Sequence, residues 1–240
     1  MSNDHIVKSF DEDLNHIESL VMEMGGLVEV QISNAASALS QRNVELSENV
    51  ISNDKKIDAL EREVDSAVVR ILALRHPKAQ DLRAVVVAPK IASNLERIGD
   101  YSKNIAKRSI VLARTQKIGS ADETIKRMSG LVQDMIKDVL DAYIKRDAIT
   151  ADNVRLRDEA VDQMHNTLFR ELLTYMMEDP RAISSCMHLL FTAKNIERMG
   201  DHTTSIAEQV YYMVNGENLD DDRPKSDKTS STMIEPTSTN

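Results

Sequence analysis

Apolar residues along this chain return every three, four or seven positions, the period of helices with one buried face rather than the alternation of half-buried strands. From Ala88 the run Ile91, Leu95, Ile98, Ile105 and Leu112 forms one such stripe. Pro, Gly and capping residues break the pattern near Gln41 to Asn43, Ser52 to Asp54, His76-Pro77, Lys117 to Ser120, Arg146-Asp147 and Asp179-Pro180. The breaks predict six long helices over 9–41, 54–75, 79–115, 120–145, 153–178 and 181–214, the third kinked at Pro89.

Composition supports an all-α fold: 7 Gly, 5 Pro and 3% aromatic residues accompany abundant Leu, Ile, Val, Ala and Met. At 240 residues and 41% hydrophobic content, the chain can build one large core or two small ones. Its single cysteine, Cys186, excludes an internal disulfide framework and sits in an apolar run, where a buried structural residue is expected. No stretch reaches the roughly 18 uninterrupted apolar residues of a membrane span. The opening MSNDHIVKSFDEDL is too acidic and polar for a signal peptide, so a cytoplasmic protein is expected. The net charge of −9 disfavours nucleic acid as a partner, and the one basic cluster, Lys103, Lys107 and Arg108, reads as a solvated helix face.

The chain is internally duplicated. NLERIGDYSKNIA at 94–106 returns as NIERMGDHTTSIA at 195–207, an offset of 101 residues. Upstream, Gln41-Arg42-Asn43 parallels Lys145-Arg146-Asp147, and Glu61-Arg62-Glu63-Val64-Asp65 is aligned with Asp158-Glu159-Ala160-Val161-Asp162. Two tandem antiparallel three-helix bundles follow, one over 1–118 and the other over 119–216, joined near Gly119. Residues 217–240, acidic and then rich in Ser and Thr, have little to bury and are expected to be a disordered tail.

Candidate chemistry resides in matched carboxylate pairs: Glu61 with Asp65 and Glu96 with Asp100 in the first half, Asp158 with Asp162 and Glu197 with Asp201 in the second. Like charges four apart on a helix repel by a few tenths of a kcal/mol, so each pair calls for a compensating cation. One answer is a flanking basic side chain such as Arg97 or Arg198; another is a metal held between antiparallel neighbours, where oxygen ligands suit Mg²⁺, Ca²⁺, Mn²⁺ or iron. The pairs lie off the apolar stripe and are expected toward a flank or the surface. Gly99 and Gly200, inside the helices, cost about 1 kcal/mol each against Ala and point to a close neighbour or to room for a cluster. His202 is a further candidate ligand, although Tyr101 holds the matching place.

ERIGD and ERMGD in two halves, preceded by HPKAQDLR and FRELLTYMMEDP respectively, resemble the PhoU family over about residues 9 to 216. The resemblance implies an accessory regulator of high-affinity phosphate uptake that acts with the phosphate ABC transporter ATPase and a membrane histidine kinase to repress phosphate-starvation genes. It implies a homodimer recruited to the inner membrane face by its partners. It also implies multinuclear metal sites, with iron, zinc, manganese or magnesium as candidates, on Glu61, Asp65, Glu96, Asp100, Asp158, Asp162, Glu197 and Asp201. Asp158 stands where the family pattern allows Glu, one methylene shorter.

Two other classes compete. A ferritin-like carboxylate oxidase needs inward Glu-x-x-His motifs, and the nearest approach, Asp162-x-x-His165, occurs once. Neither a P-loop nor a nucleophile elbow occurs, so no enzyme is expected. A metal-free helical adaptor, its carboxylates meeting cationic side chains of a partner, is the second non-enzymatic reading.

Overall fold

The computed structural model describes residues 2–75 and 77–219, with side chains from residue 10 onward. His76, one half of an expected break, and the expected tail from residue 220 lie outside them. Six long helices account for most of the described chain: α1 (Ser2–Gln41), α2 (Val44–Arg75), α3 (Ala79–Leu112), α4 (Ala121–Lys145), α5 (Ala148–Glu178) and α6 (Ile183–Asn215). A single 3₁₀ turn, Pro180–Ala182, precedes α6. Helices α1, α2 and α3 pack as one antiparallel bundle and α4, α5 and α6 as the second. The bundles join side by side through α1 against α4 and α3 against α6. No helix among the described residues is long and apolar enough to cross a membrane.

Three expected helix starts moved, that of α1 from residue 9 to Ser2 and those of α2 and α5 by ten and five residues. Helix α2 begins at Val44 and runs straight through Ser52-Asn53-Asp54, and α5 begins at Ala148 rather than Asn153. These two starts are set by the residue after each turn: Asn43 Oδ1 accepts the Leu46 N–H at 3.0 Å, and Asp147 Oδ1 accepts those of Ile149 and Thr150 at 3.0 Å. Ser52, which reads as a cap, instead turns its hydroxyl back to the Asn49 carbonyl within the helix. The helix α3 continues through Pro89.

Duplication is visible in the core. Val21, Met24, Val28, Ile32 and Leu39 of α1 and Ile125, Met128, Val132, Ile136 and Tyr143 of α4 occupy corresponding positions, and all are fully buried. Each contributes on the order of 1.5–3 kcal/mol by leaving water. Both first helices end alike, with Arg42 and Arg146 in the left-handed region at φ 55° and the following N–H donating to Ala38 O and Ala142 O.

Those two arginines lock the bundles together. Arg42 donates to Asp122 of α4 at 3.5 Å and to the last carbonyl of α3, Leu112 O, at 2.6 Å. Arg146 pairs with Glu18 of α1 and reaches Met213, near the end of α6. Glu18 corresponds to Asp122 and Leu112 to Met213, so the ion pair is made twice across a pseudo-two-fold axis, while the second contact is to a backbone carbonyl for Arg42 and to the Met213 sulfur for Arg146. Tyr101 and His202, also equivalent, meet on that axis with ring centroids 5.6 Å apart.

Candidate functional site

The packing around two glycines sets the true register of the carboxylates. A Cβ on Gly99 would meet Ile57 and the Asp54 carboxyl, and one on Gly200 would meet the Asp158 carboxyl and Val161. Asp158 therefore corresponds to Asp54, and the alignment of Asp158 with Glu61 slips by one heptad. Asp54-x-x-Ile57-Asp58-x-x-Glu61 pairs with Asp158-x-x-Val161-Asp162-x-x-His165, the register already marked by Arg42 and Arg146. Close helix packing is what both glycines serve.

In the first bundle α2 contributes Asp54, Asp58 and Glu61 and α3 contributes Glu96 and Asp100. Asp65, a turn beyond Glu61, is exposed. Asp54 is buried, with Lys103 Nζ 2.5 Å from its Oδ2 and 3.1 Å from Asp100 Oδ1. Arg97 lies 3.6 Å from Glu96 and 4.0 Å from Asp100. Burial lifts the Glu96 carboxyl above its usual range; Asp100, Glu61 and Asp58 add to the rise and Arg97 opposes it. Burial also lifts Asp54, against the hydrogen bond and charge of Lys103. Lys103 is itself raised, first by its bond to Asp54, with Asp100 adding. Two carboxylates thus hold one ammonium charged, and part of the cost of burying Asp54 stays uncompensated.

The second bundle hides its set more deeply. Asp158, Asp162 and His165 on α5 and Glu197 on α6 are all buried, and Asp201 is half-buried. Of the two places expected for these carboxylates, a flank or the surface, the second bundle takes the flank, and the flank of α6 beside its apolar stripe faces α5 rather than solvent. Lys194 Nζ lies 2.8 Å from Glu197. His202 points away from the set: its Nδ1 is 2.8 Å from Asn94 Oδ1 and its Nε2 3.4 Å from the Tyr101 hydroxyl, and burial lowers its pKa. It bridges the bundles. Cys186 is fully buried, and burial raises its thiol, which suits a packing role.

As metal sites the two sets differ. The second set contains one nitrogen donor type, His165, beside its carboxylates in sequence, a mixture of donor types that would suit iron, zinc or manganese. In the first, the cation between Asp54 and Asp100 is Lys103, which a metal would have to displace. Among the described residues no three His, Cys, Asp or Glu side chains converge on one metal position.

The PhoU domain matches residues 21–109 and again 125–210, one match to each bundle. The chain belongs to the PhoU family. It is 46% identical over 224 residues to the phosphate-specific transport system accessory protein PhoU homolog of Caulobacter vibrioides, covering 93% of this chain and 97% of the relative. The corresponding figures for the homolog of Rhizobium meliloti are 44% over 230 residues, 96% and 97%. The crystal structure of PhoU from Pseudomonas aeruginosa superposes with a TM-score of 0.83 at 39% identity, covering 87% of this chain and all of that one. The phosphate transport system regulatory protein PhoU from Streptococcus pneumoniae gives 0.82 at 30% identity, over 88% and 99%.

Within this PhoU-family architecture the basic cluster is not one solvated face. Lys103 turns inward to Asp54, Lys107 stays exposed, and Arg108 stacks over the half-exposed Phe191 ring at 4.4 Å, beside His188. Asn104, Lys107, Arg108, Val111 and His188 line a shallow cavity of about 270 Å³ between α3 and α6. Sequence reasoning missed Asp54 and Asp58, and named Lys103 and His165 without placing them in the sets; the signal for Asp54, Asp58 and His165 was the register of Arg42 with Arg146 carried into the next helix.

Proposed function

We propose that the protein is a negative regulator of phosphate uptake and of phosphate-starvation signalling that works by docking and not by catalysis. As a homodimer at the inner membrane face, it presents rigid helical surfaces to the ATPase of the phosphate ABC transporter and to a phosphate-sensing histidine kinase. The observation that carries this reading is the match of both bundles to the PhoU domain, together with near full-length relatives named for the phosphate-specific transport system. The repeated arginine lock fits the role, since a docking protein needs its two faces held in one relation.

Metal belongs to the reading for the second bundle, where Asp158, Asp162, His165, Glu197 and Asp201 are the candidate donors; the side chains would have to draw together and Glu197 to release Lys194 for an ion to bind. A bound cation would neutralise the facing acids of α5 and α6 and hold those helices together. For the first bundle the metal-free adaptor reading is favoured by the pairing of Asp54 and Asp100 with Lys103. Purified protein mixed with the transporter ATPase and, separately, with the cytoplasmic part of the kinase is expected to give saturable binding to each. Absence of binding to both removes docking as the mode of action.

A further inference from the structure

We propose that Lys103 is a built-in counter-cation that closes the first carboxylate set to divalent metal ions. Its ammonium lies between the helices, 2.5 Å from Asp54 on α2 and 3.1 Å from Asp100 on α3, the place a bridging cation would take. The Asp54 side chain is only 3% exposed, so its negative charge needs a partner within the protein, and Lys103 supplies it. A divalent ion entering here would break both bonds and then share the cleft with the displaced ammonium, a like charge on a short tether.

The second repeat provides the internal control. There the position of Lys103 is held by Thr204, a neutral residue whose hydroxyl donates to the Asp201 carbonyl at 2.8 Å. Its lysine, Lys194, is three residues before Glu197 on the same helix, where the first repeat has Ser93. The two halves have therefore diverged at the cation position while keeping four of the acids, Asp54 as Asp158, Asp58 as Asp162, Glu96 as Glu197 and Asp100 as Asp201, with His165 in place of Glu61. Lys103→Thr copies the second repeat into the first. The inference is independent of the regulatory reading, because its readout is ion binding by the isolated protein.

The test is equilibrium dialysis with Mn²⁺, with thermal unfolding measured in Mn²⁺ and in EDTA. Lys103→Thr is expected to bind about one Mn²⁺ per chain more than the unaltered protein and to unfold at higher temperature in Mn²⁺ than in EDTA. The extra ion is expected to be lost in Lys103→Thr with Asp54→Asn. In the background that retains Lys103, Asp100→Asn is expected to leave Mn²⁺ uptake unchanged, and this arm decides the matter should Lys103→Thr fold poorly. Loss of an ion in Asp100→Asn, or equal uptake with and without Lys103, overturns the proposal.

Discussion

Replacing Arg42 with Met is expected to destabilise the protein by about 3 kcal/mol, the usual cost of stripping one partner from a buried ion pair. The guanidinium is 15% exposed and Asp122 8%, so neither charge has much water to fall back on; Asp122 keeps only the longer contact to Lys117 at 3.7 Å, and the Leu112 carbonyl keeps its bonds from Thr115 but loses the 2.6 Å one from Arg42. Both residue types bear the same left-handed strain at position 42, so that cost cancels in the comparison. Arg146→Met is expected to cost less, about 2 kcal/mol, because Arg146 is 29% exposed and Glu18 17%. Urea midpoints measure both. Arg42→Met combined with Asp122→Asn should recover part of the single-mutant loss, since the orphaned charge is then gone. If Arg42→Met shifts the midpoint no more than a surface substitution, the lock contributes nothing to stability.

Gly200→Ala and Gly99→Ala, equivalent by repeat, are expected to differ in outcome. Each gains about 1 kcal/mol of helix propensity. At Gly200 the new methyl overlaps the Asp158 carboxyl, which is 1% exposed and has no solvent to swing into. Overpacking of this kind costs about 1–3 kcal/mol, so Gly200→Ala is expected to be destabilising in net. At Gly99 the nearest atom is the Cδ1 tip of Ile57 at 3.0 Å, which can rotate aside. Gly99→Ala is expected to be close to neutral. Equal losses at both positions would show that the acids are not what the glycines make room for.

The helical fold and its duplication were legible because long stretches keep one periodicity, and because ERIGD and ERMGD carry rare residues at fixed spacing. The register of α2 was not. Ile57 and Val64, a heptad apart, are both buried, and Asp54 with Asp58 repeats the spacing of Glu61 with Asp65, so a slip of seven keeps both the apolar face and the acidic pair. The offset of Arg42 from Arg146, carried into the next helix, and the contact with Gly99 separate the alternatives. Lys103 was hidden for a related reason. Along its own helix it reads with Lys107 and Arg108 as a solvated basic face, and its shorter bond is to Asp54, which is remote in sequence. The depth of Asp158, Asp162 and Glu197 likewise depends on how α5 lies against α6, a tertiary fact that a single-helix stripe does not contain.

The most direct test of the regulatory account is a phosphate-starvation reporter read in phosphate-replete cells that lack this protein. The account predicts that the reporter rises to near its starved level and returns to the repressed level when the unaltered gene is restored. A reporter that stays repressed in the absence of the protein would contradict it.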